Sequence, residues 1–233
     1  MSFEGQIVPL GDTAVVIALG EEIDVATHEK VKAVAHLFDT NPLEGMVEYI
    51  PAFTTVTVIY DPLAITHERF TEHVRTLLEQ APPSSGGLVD RLVQIPVCYG
   101  GDFGPDLDAV SSHTGLPSED VVALHGEPEY LVYMIGFAPG FPYLGGMSER
   151  LASPRRESPR EKIPAGSVGI AGSQTGVYPI ETPGGWQLIG RTPLRLFRPE
   201  VHDPSLLRTG DRVRFHAIEP AEYGDVLERE DDT

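Results

Sequence analysis

Between Tyr133 and Phe197 glycine, proline and aromatic residues crowd into YMIGFAPGFPYLGGM, IPAGSVGIAGSQTGVYP and ETPGGWQLIGRTPLRLF. Proline fixes φ and removes a backbone donor, while glycine supplies the turns that other residues resist, so this texture leaves room only for short strands joined by tight loops. The apolar runs Val168–Ala171 and Gln187–Ile189 lie between the glycines and argue against a disordered linker. Phe137, Phe141, Tyr143, Tyr178 and Trp186 fall on or beside these loops, where they can wall a pocket.

The same alternation of short strands and Gly/Pro turns extends over the C-terminal part of the chain. Strands are expected at Leu88–Cys98, Tyr130–Gly136, Gly166–Ala171, Val177–Ile180, Trp186–Ile189, Leu194–Phe197 and Arg212–Ile218. Two short helices are expected near Asp106–His113, closed by Gly115, and near Ser118–Leu124, closed by Gly126. Many short strands in this pattern predict a closed or nearly closed β-barrel.

The N-terminal part reads differently. Gln6–Leu10 and Thr13–Leu19 form two strands around a Gly11-Asp12 turn. Asp24 caps a helix whose stripe is Val31, Val34, Ala35 and Phe38, stopped by Asn41-Pro42. Strands at Met46–Ile50 and Thr54–Tyr60 follow. A second helix is capped by Thr66 and carries Phe70, Val74, Leu77 and Leu78 as its buried stripe. The chain is therefore expected to be α+β, with an α+β domain over 1–81, a linker at 82–87 (PPSSGG), a barrel over 88–220 and an acidic tail over 221–233.

Charge narrows the partners. With 17 basic against 35 acidic side chains the net charge is −18, a field that opposes nucleic acid and anionic membranes. Residues 150–214 invert the balance with 11 basic against 6 acidic side chains, which suits a small carboxylate ligand or an acidic patch on a partner. No apolar run approaches the length of a membrane span, roughly 20 residues. The opening MSFEGQIVPLGDTAVVIALG has no basic segment ahead of its apolar part, so a cytoplasmic location is expected.

Catalytic motifs are scarce. Cys98 is the only cysteine and sits in the apolar run LVQIPVC, which marks it as structural and precludes an intrachain disulfide. None of the eight histidines forms an H-x-H or H-E-x-x-H pair, so no metal is expected. Ser167 lies one residue from a G-x-S-x-G pattern, because Ala165 replaces the first glycine, but the strand that follows it is wrong for a nucleophile elbow. Neither a phosphate-binding G-x-x-x-x-G-K-[ST] loop nor a strand-linked G-x-G-x-x-G occurs. The candidates for ligand binding are Arg155, Arg160 and Arg191 as carboxylate forks, and Ser167, Gln174 and Thr175 as hydrogen-bonding groups. Phe141, Tyr143, Tyr178 and Trp186 complete the set as walls.

The segments GFAPGFPYLGGM, PREKIPAGSVGIAGSQTGVYPIETPGGWQLIGRTP, GDTAVVIALG and PAFTTVTVIYDP together resemble the KipI/PxpB family over nearly the whole chain. That family is also called the B subunit of 5-oxoprolinase, or allophanate hydrolase subunit 1. The resemblance implies a small α+β domain followed by a cyclophilin-like barrel. It also implies work alongside a homologous barrel subunit (PxpC, or allophanate hydrolase subunit 2) and a PxpA-type third subunit, as an ATP-dependent 5-oxoprolinase that opens pyroglutamate to glutamate. ATP would act at the level of that complex, with none bound by this chain alone and the chain inactive by itself. The family also offers a KipI-like inhibitor of a histidine kinase and a carboxyltransferase component of urea carboxylase type. No amidase signature and no biotin-bearing Met-Lys-Met sequence is present, and the family fixes no catalytic nucleophile on any of these residues.

Overall fold

The computed structural model describes residues 5–79 and 91–231 and divides the chain into two compact units, within residues 1–89 and 90–233. The expected linker at 82–87 lies outside the described residues.

In the first unit, β1 (Gln6–Leu10), β2 (Ala14–Ala18), β3 (Met46–Pro51) and β4 (Thr55–Tyr60) form an antiparallel sheet in the order β1-β2-β4-β3. Strand β4 alternates as its TVTVIY sequence requires, with Val56, Val58 and Tyr60 buried and the residues between them half-buried. Helix α1 (Val25–Thr40) begins where Asp24 Oδ1 accepts the Thr27 N–H at 2.7 Å, the cap that its sequence predicts. Helix α2 (His67–Glu79) places Phe70, Val74 and Leu78 in the same core, where Tyr60 and Phe70 stack at 4.6 Å.

The second unit is a closed seven-stranded barrel. Its strands are β5 (Leu92–Tyr99), β6 (Tyr130–Ile135), β7 (Pro142–Gly145), β9 (Ser167–Ala171), β10 (Gln174–Val177), β12 (Gln187–Arg191) and β13 (Arg212–Ala217). Their order around the barrel is β10-β7-β6-β13-β5-β12-β9. The β13–β5 pair is parallel and the others are antiparallel. Closure removes the edges that short strands would otherwise leave unpaired. Ile95, Val97, Val132, Leu144, Val168, Ile170 and Val213 are fully buried in its core, against which α3 (Leu107–Thr114) and α4 (Ser118–Gly126) pack Val110 and Val121. A separate two-stranded ribbon pairs β8 (Arg160–Ile163) with β11 (Thr182–Gly184).

Three expectations are corrected. The strand read at Val177–Ile180 lies earlier, at Gln174–Val177, because Pro179 cannot donate to a ladder. Leu194–Phe197 is no strand: bracketed by Pro193 and Pro199, it makes only an isolated bridge from Phe197 to Ser205. The acidic tail of 221–233 is a helix over its described part, α5 (Pro220–Asp231). The Glu222 carboxylate accepts the Glu219 N–H at 2.9 Å to start it, and the Tyr223 ring meets Phe103 at 4.7 Å to dock it. Among the described residues, no helix is long and apolar enough to cross a membrane.

Candidate functional site

The loop between β6 and β7 is built to display an aromatic ring. Phe137 has φ +68°, in the left-handed region that a bulky residue rarely occupies. The Ala138 N–H closes a γ-turn around it onto Gly136 O at 2.9 Å, and Phe141 N–H to Ala138 O and Gly136 N–H to Phe141 O, each 3.0 Å, lock the loop from both sides. The Phe137 side chain is 65% exposed. Strain of this kind costs on the order of 1–3 kcal/mol and persists only where surrounding bonds over-determine it.

Beneath Phe137 lies a second apolar cluster outside the main barrel core. Phe141 meets Phe137, Tyr143, Tyr178 and Trp186 edge-on, with ring centroids between 5.1 Å and 5.5 Å apart, the separation that edge-to-face pairs prefer. Burial raises the Tyr178 phenol pKa to about 12, although the Trp186 backbone N–H and the charges of Arg155 and Arg160 pull the other way. Tyr178 therefore stays a neutral phenol at physiological pH.

Beside this wall one buried carboxylate holds two arginines. Arg160 grips Asp106 with both terminal nitrogens, at 2.9 and 2.8 Å, while Arg156 Nη1 reaches the same carboxylate at 2.9 Å and the Leu188 N–H donates to it at 2.7 Å. The Asp106 side chain is only 5% exposed. Burial works to raise its pKa, but the Arg160 hydrogen bonds, the Leu188 N–H and both guanidinium charges outweigh it and hold the group below the usual carboxylate value. Two cations on one anion leave a net positive charge, with the exposed Arg155 next to it in sequence.

The residues expected to share a ligand fall into three places. Phe141, Tyr143, Tyr178 and Trp186 do gather, with Arg155 and Arg160 close enough to act on the Tyr178 phenol. Arg160 brings a fork already filled by Asp106. Thr175 is fully buried: its hydroxyl donates to Gly169 O at 3.0 Å and faces His125 Nε2 at 2.9 Å. Gln174 opens β10 opposite Ala171 at the hairpin turn. Ser167 and Arg191 face each other across the β9–β12 ladder, Ser167 buried and Arg191 donating from Nε to Ala165 O at 2.8 Å.

Asp106 is the residue that reading the sequence missed. It stands at the start of α3 and makes no cap hydrogen bond there, because its carboxylate turns to arginines 50 and 54 positions away. Cys98 is 3% exposed, and burial raises its thiol pKa, which keeps it protonated and inert. Among the described residues no group of three or more His, Cys, Asp or Glu side chains could hold a metal ion.

Comparison with known proteins gives consistent neighbours. Residues 5–207 match the family described as carboxyltransferase domain, subdomain C and D. The chain is 49% identical over 237 residues to the B subunit of 5-oxoprolinase from Bacillus subtilis (strain 168), covering 96% of this chain and 97% of that protein. It is 46% identical over 209 residues to the B subunit of 5-oxoprolinase from Escherichia coli O157:H7, covering 88% and 93%. The crystal structure of TTHA0988 superposes with a TM-score of 0.78 at 36% identity over 88% of this chain, which spans only 40% of the length of that one.

Proposed function

The chain belongs to the carboxyltransferase subdomain C and D family, within the group of 5-oxoprolinase B subunits, and from that premise we propose that it is one subunit of a 5-oxoprolinase. The observation that carries this reading is near-complete two-way coverage at 49% identity: the resemblance reaches from end to end of the relative and is not confined to a shared barrel. The chain works in a cytoplasmic complex with a homologous barrel subunit and a third subunit of PxpA type, and it is inactive alone.

A five-membered lactam resists hydrolysis in water, so its opening calls for activation. ATP supplies that activation by phosphorylating the amide oxygen, which makes the carbonyl electrophilic. The sequence of this chain carries no recognised nucleotide-binding motif. The turn from β5 into α3 is glycine-rich, with Gly100, Gly101 and Gly104, but it carries no phosphate-loop lysine, Asp102 and Asp108 flank the helix start, and Asp106 is taken up by Arg156 and Arg160. Nucleotide binding is therefore assigned to the other subunits. This chain contributes recognition and enclosure: Phe137, Tyr143 and Arg155 present an aromatic and basic face to the neighbouring subunit, and Arg191 stiffens the loop at Ala165.

Co-expression with the other subunits is the test. The expected result is a single species on size-exclusion chromatography that converts 5-oxoproline to glutamate with stoichiometric ATP hydrolysis, and no turnover by this chain alone. Full activity of the isolated chain, or a complex that consumes urea or allophanate in preference to 5-oxoproline, would replace this reading with another member of the carboxyltransferase family.

A further inference from the structure

A second feature of the barrel unit borders the aromatic wall, where Pro179 follows Tyr178 and the Gly166 N–H is bonded to Tyr178 O. A cleft of about 450 Å³ opens where three loops meet: Ala165 and Gly166, Pro179–Glu181, and Thr192–Arg195 with Phe197 and Pro199. Tyr223 of α5 closes one wall. The volume falls within the range of small-molecule sites.

Its walls are set before any ligand arrives. Gly166 has φ +81°, and a Cβ there would lie 2.2 Å from Thr192 O, so only glycine allows the two loops this approach. The Gly166 N–H donates to Tyr178 O at 2.7 Å, Thr192 N–H to Gly166 O at 2.9 Å and Arg191 Nε to Ala165 O at 2.8 Å. Pro179, Pro193 and Pro199 stiffen the remaining backbone.

The lining is mostly apolar, with Thr192 and Tyr223 as neutral polar side chains and two charged groups of opposite sign, Glu181 and Arg195. Arg195 pairs with Glu200 at 2.7 Å and Glu181 with Lys162 at 3.1 Å, and the four side chains are between 43% and 77% exposed. Exposed pairs of this kind contribute little, so either partner exchanges readily for a ligand group. The complementary ligand is compact, with an apolar ring, one carboxylate and one N–H donor.

We propose that this cleft recognises a cyclic amido acid, with the ligand carboxylate on Arg195, its ring N–H on Glu181 and its methylenes against Ile180 and Leu194. The assignment rests on the 5-oxoprolinase reading and gives that reaction its substrate site.

The test uses the assembled complex. Ala165→Phe, at an exposed position, fills the cleft without entering the core, and Ala123→Phe fills a different hollow beside α4 as the control. Ala165→Phe is expected to raise KM for 5-oxoproline at least tenfold, and Ala123→Phe to leave it unchanged. Arg195→Gln is expected to raise KM for 5-oxoproline by a similar factor while leaving inhibition by 2-pyrrolidinone, which lacks the carboxylate, unaltered. An unchanged KM in Ala165→Phe with an active wild-type complex overturns the cleft alone. Failure of the Ala165→Phe subunits to co-elute would make the cleft a subunit interface and overturn it equally. A wild-type complex without 5-oxoproline turnover overturns the underlying reading, and this assignment with it.

Discussion

His125 shows how one buried side chain can shape the acid response of the barrel. The Thr175 hydroxyl spends its proton on Gly169 O, so it accepts from His125 Nε2–H, and Nδ1 is left to accept from the Tyr99 hydroxyl at 2.8 Å. The ring is fully buried and stacked on Phe215 at 4.6 Å, and burial lowers its pKa to about 3. In the unfolded chain an ordinary histidine titrates near 6.5. Between these values the unfolded state binds a proton that the native state does not, so this group withdraws stability as pH falls from about 6.5 toward 3 and has no effect on the slope above that window. His125→Gln removes the group. Urea denaturation should show its stability falling less steeply than wild type between pH 4 and 6, by about 1.4 kcal/mol per pH unit. Parallel profiles would mean that the imidazole is protonated in the native state, against the geometry of its two hydrogen bonds.

At the scale of elements, Asp106 joins three pieces of chain that are distant in sequence: the start of α3, the first residue of β8 and the backbone of β12. Removing the anion leaves two guanidinium groups facing each other, whereas removing one arginine leaves the other still paired. Asp106→Asn should therefore cost about 3 kcal/mol, Arg160→Ala less, and Arg156→Ala about 1 kcal/mol. Arg156 ranks last because it is the more exposed of the two and makes a single hydrogen bond to the carboxylate. Urea midpoints of the three variants test the order, and an Arg156→Ala loss equal to that of Asp106→Asn would break it. Elements with their own period were legible in the sequence: α1 through Asp24 and its apolar stripe, β4 through TVTVIY, and β13 through its alternation. Strands β7, β8 and β11 were not, because segments of three or four residues carrying proline or charge hold no period of their own, and the barrel or the ribbon partner defines them. Helix α5 was hidden because its acidic residues outweigh the Tyr223 and Leu227 spacing that marks its apolar side. The aromatic half of the candidate site was visible in the loops that carry it. Its polar half was not, since the Asp106 pairing and the burial of Thr175 depend on closure of the barrel.

For the molecule as a whole, the decisive fact is that each unit carries an apolar core of its own. One contains only residues from Val15 to Leu78, and the other two only residues from Ile95 to Phe215. Each unit therefore has the burial it needs, and fragment 1–81 should fold without the barrel. A domain of about 80 residues buries only roughly 60–70% of its unfolded surface, so the fragment should be marginal, with a cooperative urea transition at low midpoint. Charge adds to this. Residues 1–81 carry 13 acidic against 4 basic side chains, and their mutual repulsion is felt by the compact state more than by the expanded one. Raising ionic strength from about 0.01 to 0.15 M shortens the screening length from roughly 30 to 8 Å and should move the fragment's urea midpoint upward. A fragment that shows no cooperative transition at either salt concentration would mean that this sheet and its two helices depend on the barrel for their stability, and the division into cores would then describe packing without describing folding.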